Sequence, residues 1–386
     1  MKSYEAYRAE RKIQMKIAVY GTGRLAEDFL EKLYKTKYNM EILYFVESAP
    51  VQVKYRNKRI ISANEVDYAE IDKLIIATGW SNYEEIVSYL EKISGDWERD
   101  KEKIVYFRQL YSPEFYEAKK IMPYVSIKTT DNINFITSSK DHVIPNEMMY
   151  TKETFSKKLI DGFLTLAEKY YKDARTCTGG YFLDLGANIG TTSIYVKKLL
   201  GDEWKVVAVE ACRDNYDLLR VNCILNHTED IRTELFALSD QSGTASLQYE
   251  DGNPGGTCVV EGDGMTGEVS TVRLDDYVSQ KVIAEKDIHY IWMDVEGFEP
   301  KVIKGGWKLF SSHRIAMIHE FTPSYYEKMG TMEWYYENIG KLYDSFIDMD
   351  LYIRKGQEKV YSISDIRQFT NQMKDRGIFQ TDLFLF

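Results

Sequence analysis

Five ionisable side chains follow two apolar runs. The stretch IWMDVEGFEP (291–300) carries Asp294, Glu296 and Glu299, and RIAMIHEF (314–321) carries His319 and Glu320. An unpaired ionised carboxylate is costly in an apolar setting, so groups placed there face either solvent at a strand-to-helix connection or a ligand. The chemistry these types suit is removal of a proton from a poor nucleophile such as a hydroxyl. Asp294 and Glu296 are two residues apart and share one side if the strand continues through them. Neighbouring carboxylates raise each other's proton affinity, which brings one of them toward neutral pH as a general base. His319 is the rival base, since a free imidazole already titrates in that range. Glu299 followed by Pro300 reads as a helix start. Asp294, Glu296, His319 and Glu320 could also converge as oxygen and nitrogen ligands, but their spacing does not require a metal and none is predicted.

Two glycine loops bear on what those groups would act upon. In FLDLGANIG (182–190), Asp184 stands just before the turn, Gly186 and Gly190 permit close backbone approach, and Asn188 suits the start of a helix. The strand VVAVE then ends in Glu210, placed to accept both hydroxyls of a ribose. An acid at the head of this loop would repel a pyrophosphate and favour a ligand carrying an ammonium and a sulfonium; S-adenosylmethionine has both. The other loop, YGTGRLA (20–26), follows a strand and opens a helix as a dinucleotide fingerprint does, with Gly21 and Gly23 near an anion and Glu47 ending the next strand. It predicts a nucleotide or NAD(P) site. Tyr116 and Lys120 have the Tyr-x-x-x-Lys spacing of a short-chain oxidoreductase but read as an ordinary helix face.

The elements that must position these groups come in two sets. Short apolar runs at 16–20, 41–47, 73–78 and 103–107 alternate with the helical patterns RLAEDFLEKLY and NYEEIVSYLEKI; the alternation returns with runs at 181–186, 205–210, 232–240, 289–296 and 314–321. Such alternation predicts α/β architecture with parallel sheets, in two Rossmann-like units. The predicted organisation is a nucleotide-binding domain over 1–118, a connector with a small hairpin over 119–150, and a second domain over 151–386. The glycine-rich stretch 251–268 reads either as a lid or as a link between hairpin strands. The aromatic segment 324–343 reads as core in preference to a sugar-stacking surface.

Composition narrows the partners. Sixty acidic against fifty basic residues give a formal charge of −10, so bulk charge does not draw the chain to nucleic acid or an anionic membrane. No window approaches the ~20 apolar residues of a spanning helix. The charged N-terminal segment is helical in character and unlike a signal peptide. Four scattered cysteines without a C-x-x-C pair fit a reducing cytoplasm. The expected partner is a small-molecule or glycan substrate, and a homo-oligomer is compatible with the sequence.

The segments DLGANIG (184–190), Glu210, ALSDQSG (237–243), MDVEGFE (293–299) and HEF (319–321) come in an order that resembles the FkbM-type S-adenosylmethionine-dependent methyltransferases, over about residues 125–386. The resemblance implies a class I methyltransferase sheet, seven-stranded and mixed, with helices on both faces. It implies O-methylation of a sugar, a surface polysaccharide precursor or a small natural product. It maps the cofactor onto Asp184, Gly186, Asn188, Gly190 and Glu210, with Ser239 and Asp240 near the adenine or, alternatively, in a simple turn before Gly243; Asp294, from its place at the strand end, reads as a further contact of the cofactor or its methyl region. The catalytic candidates are Asp294, Glu296, His319 and Glu320. The first unit lies outside this match and looks loosely like the small nucleotide-binding domains attached to bacterial sugar-modifying enzymes. Two other readings stand beside it: an NAD(P)-dependent oxidoreductase or epimerase driven by the first unit, and a non-catalytic nucleotide or nucleotide-sugar sensor.

Overall fold

The computed structural model describes residues 14–35, 39–171, 179–248, 254–256, 258–260 and 268–386. The helical reading of residues 1–13 and most of the glycine-rich stretch 251–268 lie outside them. The chain forms two compact units, Met1–Ile121 and Met122–Phe386.

In the first unit, β1 (Met15–Tyr20), β2 (Met40–Glu47), β3 (Lys54–Tyr55), β4 (Lys58–Ser62), β5 (Lys73–Ile76) and β6 (Ile104–Tyr106) form one sheet in the order β3-β4-β2-β1-β5-β6. All neighbours are parallel except the short β3–β4 pair. Ile17, Ala18 and Val19 are fully buried in succession, as a strand covered on both faces demands. The helix Arg24–Lys35 turns Ala26, Phe29, Leu30 and Leu33 inward, the i, i+3, i+4, i+7 stripe of a helix lying on a sheet.

The second unit opens with a hairpin, β7 (Tyr124–Lys128) and β8 (Asn134–Ser138). Its main sheet contains β9 (Gly180–Leu185), β10 (Trp204–Glu210) and β11 (Arg232–Leu235). A smaller sheet follows: β12 (Ala237–Leu238), β13 (Gly243–Gln248), β14 (Cys258–Val260) and β15 (Glu268–Val272). The main sheet resumes with β16 (Ile288–Met293), β17 (Ala316–Phe321), β18 (Ser345–Asp348), β19 (Val360–Ser362) and β20 (Thr381–Leu385). Its order is β11-β10-β9-β16-β17-β20-β18-β19. The five strands from β11 to β17 are parallel, β20 runs against both of its neighbours, and β19 adds an antiparallel edge. The sheet therefore has eight strands where seven were expected: β19 pairs through Ser345–Ser362 and extends the far edge by one.

Two further differences concern strand ends. The run 232–240 does not stay in one sheet: the chain breaks at Phe236, leaving β11 in the main sheet and sending β12 to the smaller one. The run 289–296 stops as a strand at Met293, so Asp294 and Glu296 lie in a turn.

The aromatic segment 324–343 packs inward, with Tyr326 and Tyr335 fully buried. Tyr116 is likewise buried, while Lys120 pairs with Glu117 at the surface, so the two form no joint site. The hairpin is tied down by two asparagines on and just after the helix Arg213–Leu225. Asn222 and Asn226, one turn apart, accept from the amides of Ile136 (2.7 Å) and Asn134 (2.9 Å) and donate back to the same residues' carbonyls. Their amide groups thus satisfy an open strand edge that would otherwise be unpaired.

Candidate active site

The strand order of the main sheet reverses between β9 and β16, and ligands in open α/β sheets gather outside the carboxyl ends of the strands at such a point. The loop after β9 and the turn after β16 touch there. The Asp294 amide donates to the Leu185 carbonyl at 2.8 Å. A Cβ on Gly186 would stand 1.7 Å from the Asp294 carbonyl oxygen, and its φ of +93° is one that L side chains rarely adopt, so only glycine fits.

On the β9 side the backbone is held by β10. Gly186 and Ala187 both donate to the Val209 carbonyl at 2.9 Å. Glu210, buried at the end of β10, accepts from Asn188 N (2.8 Å) and Cys212 N (2.7 Å). Asn188 has a left-handed φ of +48°, and the helix Thr191–Leu200 begins after Gly190, so Asn188 belongs to the turn and does not cap the helix. Burial pushes the Glu210 carboxyl up to about 7 against the pull of the amides it accepts from. Asp184 is buried under the loop, takes a hydrogen bond from Ser193 Oγ on one oxygen and has no partner on Oδ1. Its carboxyl is pushed to about 7, first by burial.

Ser239 and Asp240 follow β12. The Ser239 amide donates to the Val272 carbonyl, and a Cβ on Gly305 would lie 2.1 Å from the Ser239 carbonyl oxygen, so the helix Glu299–Gly305 presses on this turn. Asp240 pairs with Lys304 at 2.7 Å, which holds its carboxyl below the usual range although partial burial works the other way.

The turn after β16 departs from the alternating strand geometry on which a shared side for Asp294 and Glu296 depended. Glu296 and Gly297 are left-handed, with φ of +52° and +93°, and a Cβ on Gly297 would meet Tyr325 Cβ at 2.7 Å. The turn is braced from within. Glu299, in the first turn of its helix beside Pro300, bends its carboxylate back to accept from Val295 N (2.9 Å) and Gly297 N (3.4 Å). Asp294 is exposed as a residue but its carboxyl is set among surrounding protein, and burial pushes that carboxyl up to about 6.

Glu320 and His319 are successive residues on β17 and so point to opposite faces. Glu320 accepts from Gln380 Nε2 (2.8 Å) and Thr322 Oγ1 (3.3 Å), and faces Asp382 across the β17–β20 pair. Burial, then the charges of Asp294, Glu296, Glu299 and Asp382, drive its carboxyl well above the usual range. His319 is 1% exposed, and its ring lies between Phe321 and Tyr335. Nδ1 lies 2.7 Å from the Glu320 carbonyl, which only accepts, so Nδ1 carries the proton and Nε2 takes the Tyr335 hydroxyl at 2.9 Å. Burial holds the imidazole down at about 4. The expectation that His319 rivals the carboxylates as base is therefore corrected: it is a neutral core residue without access to a substrate.

In the first unit Gly21, directly after β1, has φ +106° and its amide donates to the Val46 carbonyl of β2, while the sheet reverses its order on the other side of β1, between β1 and β5. Thr22 Oγ1 donates to Glu47 Oε1, so Glu47 is tied to the loop.

A sheet of this order, with a glycine turn after its first strand and a buried acid at the end of its second, defines a class I methyltransferase that uses S-adenosylmethionine. Residues 184–363 match the methyltransferase FkbM domain. Residues 13–104 match a second family, C2185-like, N-terminal. No curated protein matches the chain. Among solved structures, it is similar to precorrin-6y C5,15-methyltransferase from Geobacter metallireducens, at 9% identity and a TM-score of 0.29, covering 58% of this chain and 85% of that one. It is similar to an O-methyltransferase from Bacillus cereus in complex with SAH, at 12% identity and a TM-score of 0.27, covering 55% and 74%. Fibrillarin from Aeropyrum pernix with natively bound S-adenosyl-L-methionine is another, at 9% identity and a TM-score of 0.31, covering 69% and 100%.

Proposed function

We propose that the chain methylates a hydroxyl of a sugar, a surface polysaccharide precursor or a small natural product in the cytoplasm. S-adenosylmethionine supplies a methyl group on a sulfonium, open to in-line attack by a nucleophile. Gly186, Asn188 and Gly190 would hold it against the β9 turn, Glu210 would accept its ribose hydroxyls, and Ser239 and Asp240 would border the adenine. The buried Asp184 oxygen without a partner suits the cofactor's ammonium, directly or through a water.

The observation that carries the hydroxyl reading is the group of carboxylates beside that loop. Asp294 is exposed, is joined through its amide to Leu185, and stands near Glu296 and Glu320. Acids of raised proton affinity are what a hydroxyl acceptor needs, because its proton must leave as the new bond forms. Alignment of the acceptor oxygen is the other requirement, and rigid strand ends supply it. For the first unit we propose a nucleotide, a nucleotide sugar or NAD(P) on Gly21, Gly23 and Glu47, supported by the left-handed Gly21 directly after β1, the strand beside the sheet's reversal.

The test is transfer of labelled methyl from S-adenosylmethionine to a panel of monosaccharides, nucleotide sugars and polyhydroxylated natural products. Label in at least one hydroxyl acceptor, lost in Asp294→Asn or Glu296→Gln variants that still bind cofactor, supports the reading. Label reaching only amine or carbon acceptors contradicts it.

A further inference from the structure

Asp294, Glu299 and Glu320 come from the end of β16, the helix after it and the end of β17. Each offers a carboxylate oxygen, and the three oxygens all lie within 4.8 Å of one another. Oxygens bound at about 2.1–2.4 Å to one octahedral cation stand roughly 3–4.8 Å apart, so the spacing is that of ligands to a single hard ion. Among the described residues, none of the three carboxylates is paired with Lys or Arg.

A second observation distinguishes this group from an ordinary acidic surface. Glu299 is 1% exposed, and its carboxylate reaches into the group; Oε1 is held by the turn amides, while Oε2 has no hydrogen-bond partner. The nearby Tyr326 hydroxyl, which also interacts with Glu299, has a single hydrogen and makes its 3.0 Å bond to the Glu320 carbonyl. A buried carboxylate oxygen without a donor is unfavourable, and a ligand at that point removes the deficit.

The geometry points to a divalent cation site formed by Asp294, Glu299 and Glu320. All three donors are hard oxygens, which selects Mg²⁺ or Mn²⁺ over Zn²⁺. Three protein oxygens leave about three positions of an octahedron for water or substrate. An ion there would sit beside the Gly186 loop, because Asp294 is joined to Leu185. It would bind the acceptor hydroxyl and lower its pKa, leaving Glu296, which is outside the ligand set, to receive the proton. This role rests on the proposed O-methylation; binding of the ion itself does not.

The experiment titrates the chelator-treated full-length chain with Mn²⁺ and follows the free-ion signal by electron paramagnetic resonance. S-adenosylmethionine binding is measured in parallel by calorimetry. One bound Mn²⁺ per chain is expected, competed by Mg²⁺, with affinity at least tenfold weaker in Asp294→Asn and in Glu320→Gln. The second variant leaves the Glu299 brace intact, so it reports even where Glu299→Gln fails to fold. No bound Mn²⁺ at millimolar concentration, or equal affinity in both variants, overturns the site. Cofactor binding without the ion would leave the methyltransferase reading standing while the metal site falls. Ion binding in a chain that transfers methyl to no hydroxyl would leave the metal site standing while the O-methylation reading falls.

Discussion

The backbone amide of Asn188 donates to Glu210 Oε2 at 2.8 Å, so the turn after β9 is shaped by the acid that ends β10. A second amide, from Cys212, holds the other oxygen. One carboxylate thus sets the turn and is proposed to receive the ribose, which ties affinity to local stability.

Glu210→Gln keeps the shape but replaces a charged acceptor. It should weaken S-adenosylmethionine binding by ~10–100-fold, since hydrogen bonds to a charged group contribute about 1.5–3 kcal/mol. Calorimetry on the two proteins measures this directly.

The same residue predicts a pH dependence. Its folded carboxyl titrates at about 7, above the ~4.3 of an unfolded chain, so its contribution to stability is fully present below ~4.3 and is lost as pH rises through about 7. Urea unfolding of the cofactor-free chain should show stability falling between pH 5 and 8, with a shallower fall in Glu210→Gln. Cofactor affinity should rise over the same interval, as the carboxylate becomes the ionised acceptor.

Replacement of His319 should separate stability from chemistry. His319→Leu leaves the Tyr335 hydroxyl without its partner and should cost ~1–3 kcal/mol in unfolding free energy. The pH profile of turnover should keep its shape. Adding Tyr335→Phe should recover part of the loss. With a folded value near 4, His319 also makes the fold less stable as pH falls below ~6.5, and the leucine variant should lack that component.

Asn222 joins the hairpin to the cofactor turn: its side-chain nitrogen donates to the carbonyls of Ile136 (3.1 Å) and Ile189 (2.9 Å), and its oxygen accepts from Ile136 N. Asn222→Ala should cost ~2–4 kcal/mol by leaving buried backbone groups unpaired, and should weaken cofactor binding as Ile189 loosens. Thermal unfolding and calorimetry would show both.

Gly186→Ala tests the contact between the two loops. Its Cβ would collide with the Asp294 carbonyl, so we expect a lowered melting temperature and loss of cofactor binding. A variant with wild-type stability would contradict the packing.

The strands were legible because each buried parallel strand is an unbroken apolar run, as in Val206–Val209 of β10. Their ends were less so. Apolarity does not reveal that Glu296 and Gly297 turn left-handed, or that Phe236 parts two sheets, because those outcomes depend on what packs against the chain. His319 could have been placed from sequence: next to Glu320 on a strand, it must face the opposite side. Glu299 was readable as a helix start but not as a brace, since its partners arise from the turn. The pairing of Asn222 and Asn226 with β8 is a long-range match, and a four-residue spacing of asparagines only hints at it.

Calorimetric titration of the full-length chain with S-adenosylmethionine and, separately, with NAD(P)H tests the central claim most directly. One S-adenosylmethionine site per chain, weakened in Glu210→Gln, is expected. Tight nicotinamide binding with no response to S-adenosylmethionine would contradict it.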